Sequence, residues 1–323
     1  MSYTFTVSEH HDGRRLDKVI RTLWPTLPLG AMMKGIRKGL VRVDGKKVAC
    51  SVRLEEGQSV YVPWERPEEH NHSFAMQKNE KKKTTERRIP LAVVYKDQFL
   101  MVLNKRAGLL VQPDESGEES LIEQVWAEVP PEEDFRACAV HRLDRNTTGL
   151  VVVALHGQAV RELQRAFRDD DVRKTYLVAV YGKTPQEGDI TLPLLKDRDK
   201  NIVKVDPSGQ VAHTHFEKIA GDDKYSLLKV HLLTGRSHQI RVHLASLNYP
   251  VVGDVKYGAS AVNKEWYRRI HLSHPLLHAW SISFHNMKAP LEYLEGRVFP
   301  AEPDNLFYKF LQIKGWQKYC KGV

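Results

Sequence analysis

Near the start of the chain, apolar positions recur at helical spacing. Leu16, Val19, Ile20 and Leu23 share one face, and Trp24-Pro25 closes that segment. Met32, Met33 and Ile36 predict a second short helix that ends near Gly39. The period then changes. LVRVDGKKV alternates apolar and polar residues around Asp44-Gly45, the pattern of a tight hairpin, and Leu54 to Val62 adds a strand after Glu56-Gly57. From Trp64 to Arg88 no period survives, and the segment reads as a charged linker. Beyond it, VVYKDQFLMVLNK, GLVVVAL, KTYLVAVYG and KYSLLKVHLL read as strands. GQAVRELQRAF predicts a helix with Val160, Leu163 and Phe167 on one face. SHQIRVHLASLN predicts another, with Ile240, Leu244 and Leu247 as its core stripe. The strands are not joined by regularly alternating helices, which argues against a doubly wound sheet. No internal repeat is visible. The pattern therefore predicts a head over 10–63, a linker over 64–88 and a body over 89–323.

Composition narrows the class. The chain has 323 residues, and at roughly 150 residues per domain this predicts two domains. A hydrophobic share of 41% excludes disorder along the whole length. The longest apolar run, Leu150 to Leu155, is far short of the ~20 residues of a membrane-spanning helix. MSYTFTVSEHHDG lacks the basic and apolar regions of a secretory signal. Cys50, Cys138 and Cys320 are far apart and odd in number, so free thiols and a reduced cytoplasmic protein are expected.

The net charge of +9 is uneven. His10 to Pro63 carries eleven Lys/Arg against five Asp/Glu, whereas Ile89 to Val323 is nearly neutral. Arg37, Lys38, Arg42, Lys46 and Lys47 cluster on the second helix and the adjacent turn, which predicts a basic face and an anionic partner. Lys81, Lys82 and Lys83 read as part of a solvated tether rather than as phosphate contacts. The run Asp169-Asp170-Asp171 reads as a solvated loop after a helix.

The common nucleotide cradles are missing, as is the G-x-S-x-G of many hydrolases. His271, His274 and His278 fall at helical spacing, but Pro275 interrupts them. His213 and His215 share a strand face without a completing ligand at familiar spacing. Hydrogen-bonded or surface histidines are the expected reading, and no metal. One block stands out: His141-Arg142-Leu143-Asp144-Arg145-Asn146-Thr147-Thr148-Gly149, running into an apolar strand. The carboxylate of Asp144 sits between two arginines, which favours its ionised form. A structural salt bridge and a catalytic group are both open on these residues alone.

HRLDRNTTGL resembles the HRLD signature of RluA-type pseudouridine synthases. In the same order, LNKRAGLLVQP, VRKTYLVAVYG, LLTGRSHQIRVHLASLNYPVVGDVKYG and LLHAWSISF resemble the family's other motifs. The head, RRLDKVIRTL through KGLVRVDGKKV, is similar to S4-type RNA-binding domains. Arg106 stands where proline is usual, Thr148 where serine is usual, and Gln58 where S4 domains often have aspartate.

The resemblance implies an α+β fold. Its core is a large mixed, mostly antiparallel sheet around a central cleft, preceded by a small S4-type domain. It implies isomerisation of uridine in RNA, foremost large-subunit ribosomal RNA, by a monomer without cofactor or metal. A tRNA substrate and a non-catalytic ribosome-assembly role are the alternatives. Asp144, Tyr176 and Arg241 match the catalytic positions. Arg142, Leu277 and Lys105 would contact substrate. Arg15, Lys34, Arg37, Lys38, Arg42, Lys46 and Lys47 would contact RNA.

Overall fold

The computed structural model of the chain describes residues 2–24, 27–65, 90–114, 116–131, 135–197 and 201–320. Most of the expected linker, with Lys81, Lys82 and Lys83, lies outside them. Two compact units emerge. The first is Met1–Pro90 with Pro131–Arg136 and His156–Gln158, and the second holds the rest of the chain.

The first unit carries a four-stranded sheet. Its strands are β1 (Tyr3–Thr6), β2 (Arg42–Val43), β3 (Lys46–Lys47) and β4 (Ser59–Val62), in the order β1-β4-β2-β3. Two helices, Leu16–Leu23 and Leu29–Arg37, accompany it. Leu16, Val19, Ile20, Met32 and Ile36 meet Val43, Leu54, Val60 and Val62 in one core. Met33, on the same helix, is exposed. The hairpin turn falls where the pattern placed it, with Asp44 and Gly45 at φ 48° and 74°. These positive values are those of a tight turn matched to strand twist. The sequence boundaries need correction at both ends. β1 pairs with β4 and so precedes the expected start at His10. Beyond Pro63, the Trp24 indole donates to the Glu65 carbonyl (2.7 Å), so the fold runs on into the segment read as linker.

The second unit is built on a ten-stranded sheet. Its strands are β5 (Val93–Lys96), β6 (Leu100–Lys105), β7 (Cys138–Ala139), β8 (Thr148–Ala154), β9 (Val172–Tyr181), β10 (Glu187–Ile190), β13 (Thr214–Gly221), β14 (Tyr225–Leu232), β15 (Leu277–Phe284) and β16 (Val298–Pro300). The separate hairpin β11 (Leu194–Asp197) and β12 (Ile202–Val205) stands beside it. The main path runs β10-β13-β14-β9-β15-β8-β6-β5. Every pair on that path is antiparallel except β15 with β8. This is an α+β unit with a mixed sheet.

Both faces of the sheet are covered, which explains why GLVVVAL is apolar without alternation. Val151 and Val153 join Tyr176, Val178, Leu277 and Ala279 on one face. Leu150, Val152 and Ala154 meet Ala159, Leu163 and Ala166 of the Gly157–Arg168 helix on the other. Further along that second face, Leu177 and Ala179 pack with Trp266, Phe307 and Phe310. The parallel seam is tight. A β-carbon on Gly149 would lie 2.3 Å from the Ala279 carbonyl oxygen, and its φ is +106°. Only glycine fits that approach.

Two sequence expectations fail here for the same reason. Asp171 is not a solvated loop residue. It is buried, accepts from Arg165 Nη1 at 2.5 Å and from the Asn286 side chain at 2.9 Å. Leu247 is not core: it caps the Gln239–Ser246 helix and is exposed. In each case tertiary neighbours, not local pattern, decide burial.

Candidate active site

The block singled out by sequence forms the loop between β7 and β8. Leu143 anchors it by pointing into the core. The Thr147 N–H donates to the Asp144 carbonyl (3.1 Å), which turns the chain after the aspartate. Thr148 Oγ1 lies 2.8 Å from His278 Nδ1, and the other nitrogen of that ring lies 3.0 Å from the Ala301 carbonyl. That carbonyl can only accept, so His278 donates from Nε2 and receives the threonine hydroxyl at Nδ1. Burial pushes the His278 pKa down to about 4, which keeps the ring neutral for this task. The hydroxyl retained by threonine at this position is thus in use. His141 is also spoken for. Its Nε2 accepts from the Val152 N–H at 2.9 Å, and burial takes its pKa down to about 3.

Lys105 departs from its expected role. It was expected to contact substrate, but its side chain is buried and does not line the cavity. Its Nζ donates to the carbonyls of Arg106 (3.0 Å), Leu109 (2.9 Å) and Arg145 (2.9 Å). Burial pulls its pKa down to about 7, against the opposing pull of Asp144. Three carbonyl acceptors match the three protons of an ammonium. Lys105 therefore ties the loop bearing Asp144 to the end of β6. The sequence showed a cation near the motif, but not which way it faced.

Asp144 opens onto a cavity and meets a guanidinium. Arg241 Nη1 donates to Asp144 Oδ2 at 3.0 Å. Arg241 itself is gripped from behind by Asp254, through Nε to Oδ2 (2.7 Å) and Nη2 to Oδ1 (2.9 Å). A bidentate pair of this kind fixes the guanidinium plane. Asp254 is fully buried, and the N–H groups of Lys256 and Tyr257 also donate to it. Burial disfavours charge on Arg241, yet Asp254 and then Asp144 hold its pKa above the ordinary value. Asp254 is held below the carboxylate range against its own burial, chiefly by Arg241.

The helix that carries Arg241 is buried nearly all round, from Gln239 to Leu244. Its polar members are satisfied inside. Gln239 donates to the His213 carbonyl (2.9 Å), and the two nitrogens of His243 bond Thr214 Oγ1 (2.9 Å) and the Leu192 carbonyl (2.8 Å). The segment is therefore buried on more sides than its apolar stripe alone predicts.

Tyr176, from β9 between β14 and β15, lines the same cavity. Its ring is 6% exposed, and its hydroxyl has no hydrogen-bond partner among the described residues. Burial, and then the charge of Asp144, push its pKa up. Leu277, from β15, supplies an apolar wall. Arg142 lines the same cavity and forms no ion pair among the described residues. The fold thus brings Asp144, Tyr176, Arg241, Arg142 and Leu277 to one cavity. Sequence reasoning missed Asp254, Lys174 and His238. Lys174 and His238 line the cavity, and Asp254 stands behind it. Asp254 lay inside a quoted motif, but an aspartate in a glycine-rich turn carries no local sign of its partner.

The seven basic residues of the head are all exposed and belong to the other unit. Arg15 is engaged by Asp17 (2.8 Å), which leaves Lys34, Arg37, Lys38, Arg42, Lys46 and Lys47 without an ion pair among the described residues.

A family model described as RNA pseudouridylate synthase matches residues 99–246. Ribosomal large subunit pseudouridine synthase C of Buchnera aphidicola is 31% identical over 91% of this chain and 95% of its own length. The protein of the same name from Vibrio cholerae is 32% identical over 86% and 87%. Among solved structures, human RNA Pseudouridylate Synthase Domain Containing 4 aligns with a TM-score of 0.57 at 21% identity, over 68% of this chain and 92% of that one. Human RNA Pseudouridylate Synthase Domain Containing 1 aligns at 0.55 and 22% identity, over 73% and 90%. At these identities the two structures speak to the fold alone. The near full-length relatives, the matched family model and the shared fold together place this chain in the RNA pseudouridine synthase family.

Proposed function

We propose that this synthase isomerises a uridine of large-subunit ribosomal RNA, with Asp144 as the reacting carboxylate and the basic head as an S4-type RNA-binding unit. One observation carries the reading. A carboxylate, held by a guanidinium that a second, buried carboxylate immobilises, lines one cavity with a tyrosine. The reaction breaks the N1–C1′ bond, turns the uracil and forms a C5–C1′ bond; C5 loses its proton and the freed N1 gains one. Attack of the carboxylate at C1′, proton removal toward a glycal and addition to C6 all use an ionised Asp144 beside Arg241. Tyr176 and Leu277 form an apolar and aromatic bed for a flipped base. Arg142, at the cavity edge, fills the space that the base leaves in its stack. Extrusion of the base costs a few kcal/mol, which such a replacement offsets.

The names of the relatives motivate ribosomal RNA as the substrate. The exposed cations of the head suit a large folded RNA, because phosphate contacts supply affinity independent of sequence. The test is chemical mapping of pseudouridine in RNA from cells that lack this protein, complemented by wild type or by Asp144→Asn. A missing site in large-subunit ribosomal RNA, restored by wild type alone, is expected. A missing site in tRNA would overturn the ribosomal part. No missing site, together with no tritium release from [5-³H]uridine RNA, would leave a non-catalytic RNA-binding role.

Tyr176→Phe separates stacking from proton transfer. The ring remains, so binding and flipping of uridine are retained. If the hydroxyl is the late base, against the raised pKa that burial gives it, a rearranged product still protonated at C5 accumulates on the enzyme. Normal release of finished pseudouridine would leave stacking as the tyrosine's sole role.

The head is tested through charge. Lys34, Arg37 and Lys38 are exposed positions on or next to one helix. Replacing all three by Gln lowers affinity for ribosomal RNA and flattens its salt dependence. Each lost phosphate contact removes about 0.7–0.9 from the log–log slope. An unchanged slope, measured across several salt concentrations, would return this face to ordinary solvated surface.

A further inference from the structure

His238 sits at the mouth of the Gln239–Ser246 helix in left-handed backbone conformation, φ 55° and ψ 16°. Its side chain is only 11% exposed and lines the cavity beside Asp144. One ring nitrogen, Nδ1, lies 2.7 Å from the Tyr257 hydroxyl. That hydroxyl already receives the Val203 N–H at 2.8 Å, from β12 of the separate hairpin. A phenol has one proton to give, and His238 Nδ1 is the acceptor within its reach among the described residues. Burial raises the Tyr257 pKa, so the phenol keeps that proton. The order of donation is therefore Val203 N–H to Tyr257, then Tyr257 O–H to His238 Nδ1. This leaves the neutral imidazole with its proton on Nε2. The ring is further held by edge contact with Tyr257, whose own ring centroid lies 5.1 Å from the Arg241 guanidinium.

His238 Nε2 has no hydrogen-bond partner among the described residues, and lies 4.0 Å from Asp144 Oδ2. That gap is too long for a direct hydrogen bond. An N–H donor and a carboxylate acceptor at this separation select a particular kind of guest. It must accept from the imidazole and donate to the carboxylate. With two hydrogen bonds of about 2.8 Å, the guest oxygen sees its partners at an angle of about 90°. A hydroxyl meets both demands. A carbonyl oxygen of uracil does not, because it has no proton for the carboxylate and would be repelled by it. In a uridine nucleotide within an RNA chain, the hydroxyl next to C1′ is the ribose 2′-OH.

We infer that His238, with its tautomer set by Tyr257, forms with Asp144 a clasp for the 2′-hydroxyl of the target nucleotide, and that this clasp distinguishes ribose from deoxyribose at the reaction centre. The inference rests on the proposed role of Asp144. It adds a group that places C1′ against the carboxylate and rejects a DNA-like sugar, since the 2′-OH is both donor and acceptor and is the group that separates RNA from DNA. It also gives the β11–β12 hairpin a task. That hairpin supplies the N–H that orients the tyrosine, which in turn orients the histidine.

The test uses the full chain and a short RNA spanning a uridine that the wild-type enzyme isomerises. The RNA is made with either ribose or deoxyribose at that one position. Single-turnover kcat/KM is measured on both for wild type, His238→Phe and His238→Gln, with thermal melting as a check on folding. Wild type is expected to prefer the ribose target by about 100-fold or more. His238→Phe is expected to lose about tenfold of that preference, the worth of one hydrogen bond at the upper end of the usual range. The loss falls on the ribose target and leaves the deoxyribose target nearly unaffected. His238→Gln, whose amide nitrogen reaches the place of Nε2, recovers most of the preference.

A merely structural role would slow both substrates equally and leave the ratio untouched, and that result would overturn the clasp. So would equal wild-type rates on the two sugars. Neither result disturbs the role of Asp144, which fails separately if Asp144→Asn still converts the ribose target. Should His238→Phe not fold, Tyr257→Phe gives the same reading. It removes the proton that sets the tautomer, and a fall of a few-fold in the ribose preference is expected. An unchanged ratio there would equally overturn the inference.

Discussion

Asp144→Asn abolishes turnover while the protein stays folded and still binds RNA. The amide keeps the size of the carboxylate and an oxygen for Arg241 Nη1, so the contact at 3.0 Å survives in weakened form. Its loop is anchored elsewhere, by Leu143 in the core and by Lys105 on the Arg145 carbonyl. Arg241 also keeps its bidentate pair with Asp254, so no buried charge is orphaned by the change. What is lost is the negative charge at the reaction centre, which an amide cannot supply as nucleophile or base. Loss of such a group costs on the order of 10⁴-fold or more in rate. The measurement is tritium release from [5-³H]uridine RNA under single-turnover conditions, beside a binding isotherm and a melting curve. Turnover retained in a preparation free of wild-type enzyme would remove Asp144 from the chemistry.

Arg241→Met has a double effect, because Arg241 serves two carboxylates. Toward the cavity, Asp144 loses its cation and activity falls with it. Toward the interior, Asp254 is left as a fully buried carboxylate whose remaining donors, among the described residues, are the backbone N–H groups of Lys256 and Tyr257. Loss of one partner of a buried pair costs about 3–5 kcal/mol. In a unit of this size that lowers the melting temperature on the order of 10 °C. The two effects separate by a second substitution. Arg241→Met combined with Asp254→Leu removes the orphaned charge, so much of the lost stability returns while activity does not. If the single variant melts like wild type, Asp254 does not depend on Arg241 as the geometry requires. If it remains fully active, Asp144 needs no cation beside it.

The helix around Arg241 shows why such a residue hides in sequence. Gln239, Arg241 and His243 are polar, so the segment reads as a helix with one apolar stripe and an exposed back. In the fold nearly every side is covered, and each polar group finds a partner from a distant strand or turn. Local periodicity measures only what a helix would show to a single core. Other helices went unread for a different reason. Leu121–Glu128 is short and starts at a capping box, with Ser120 and Glu123 bonding each other's backbone N–H. That signal was present in the sequence but weak beside the neighbouring strands.

Sequence alone determined those elements whose pattern is local. The helix Leu16–Leu23, the Asp44-Gly45 hairpin and the buried strand Thr148–Ala154 follow from spacing, turn chemistry and apolar continuity. It also determined the family, because an ordered set of motifs survives without coordinates, and it singled out Asp144, Tyr176 and Arg241. Only the tertiary structure decided what those residues face. The separation in sequence between Asp144, Arg241 and Asp254 is closed by the sheet order, which no local pattern encodes. The same holds for Lys105, turned from the cavity to three carbonyls, and for His238, whose tautomer depends on Tyr257 and on an N–H from a separate hairpin. Side-chain direction and hydrogen-bond partners depend on what lies across space, and in this protein those neighbours come from strands and turns far apart along the chain.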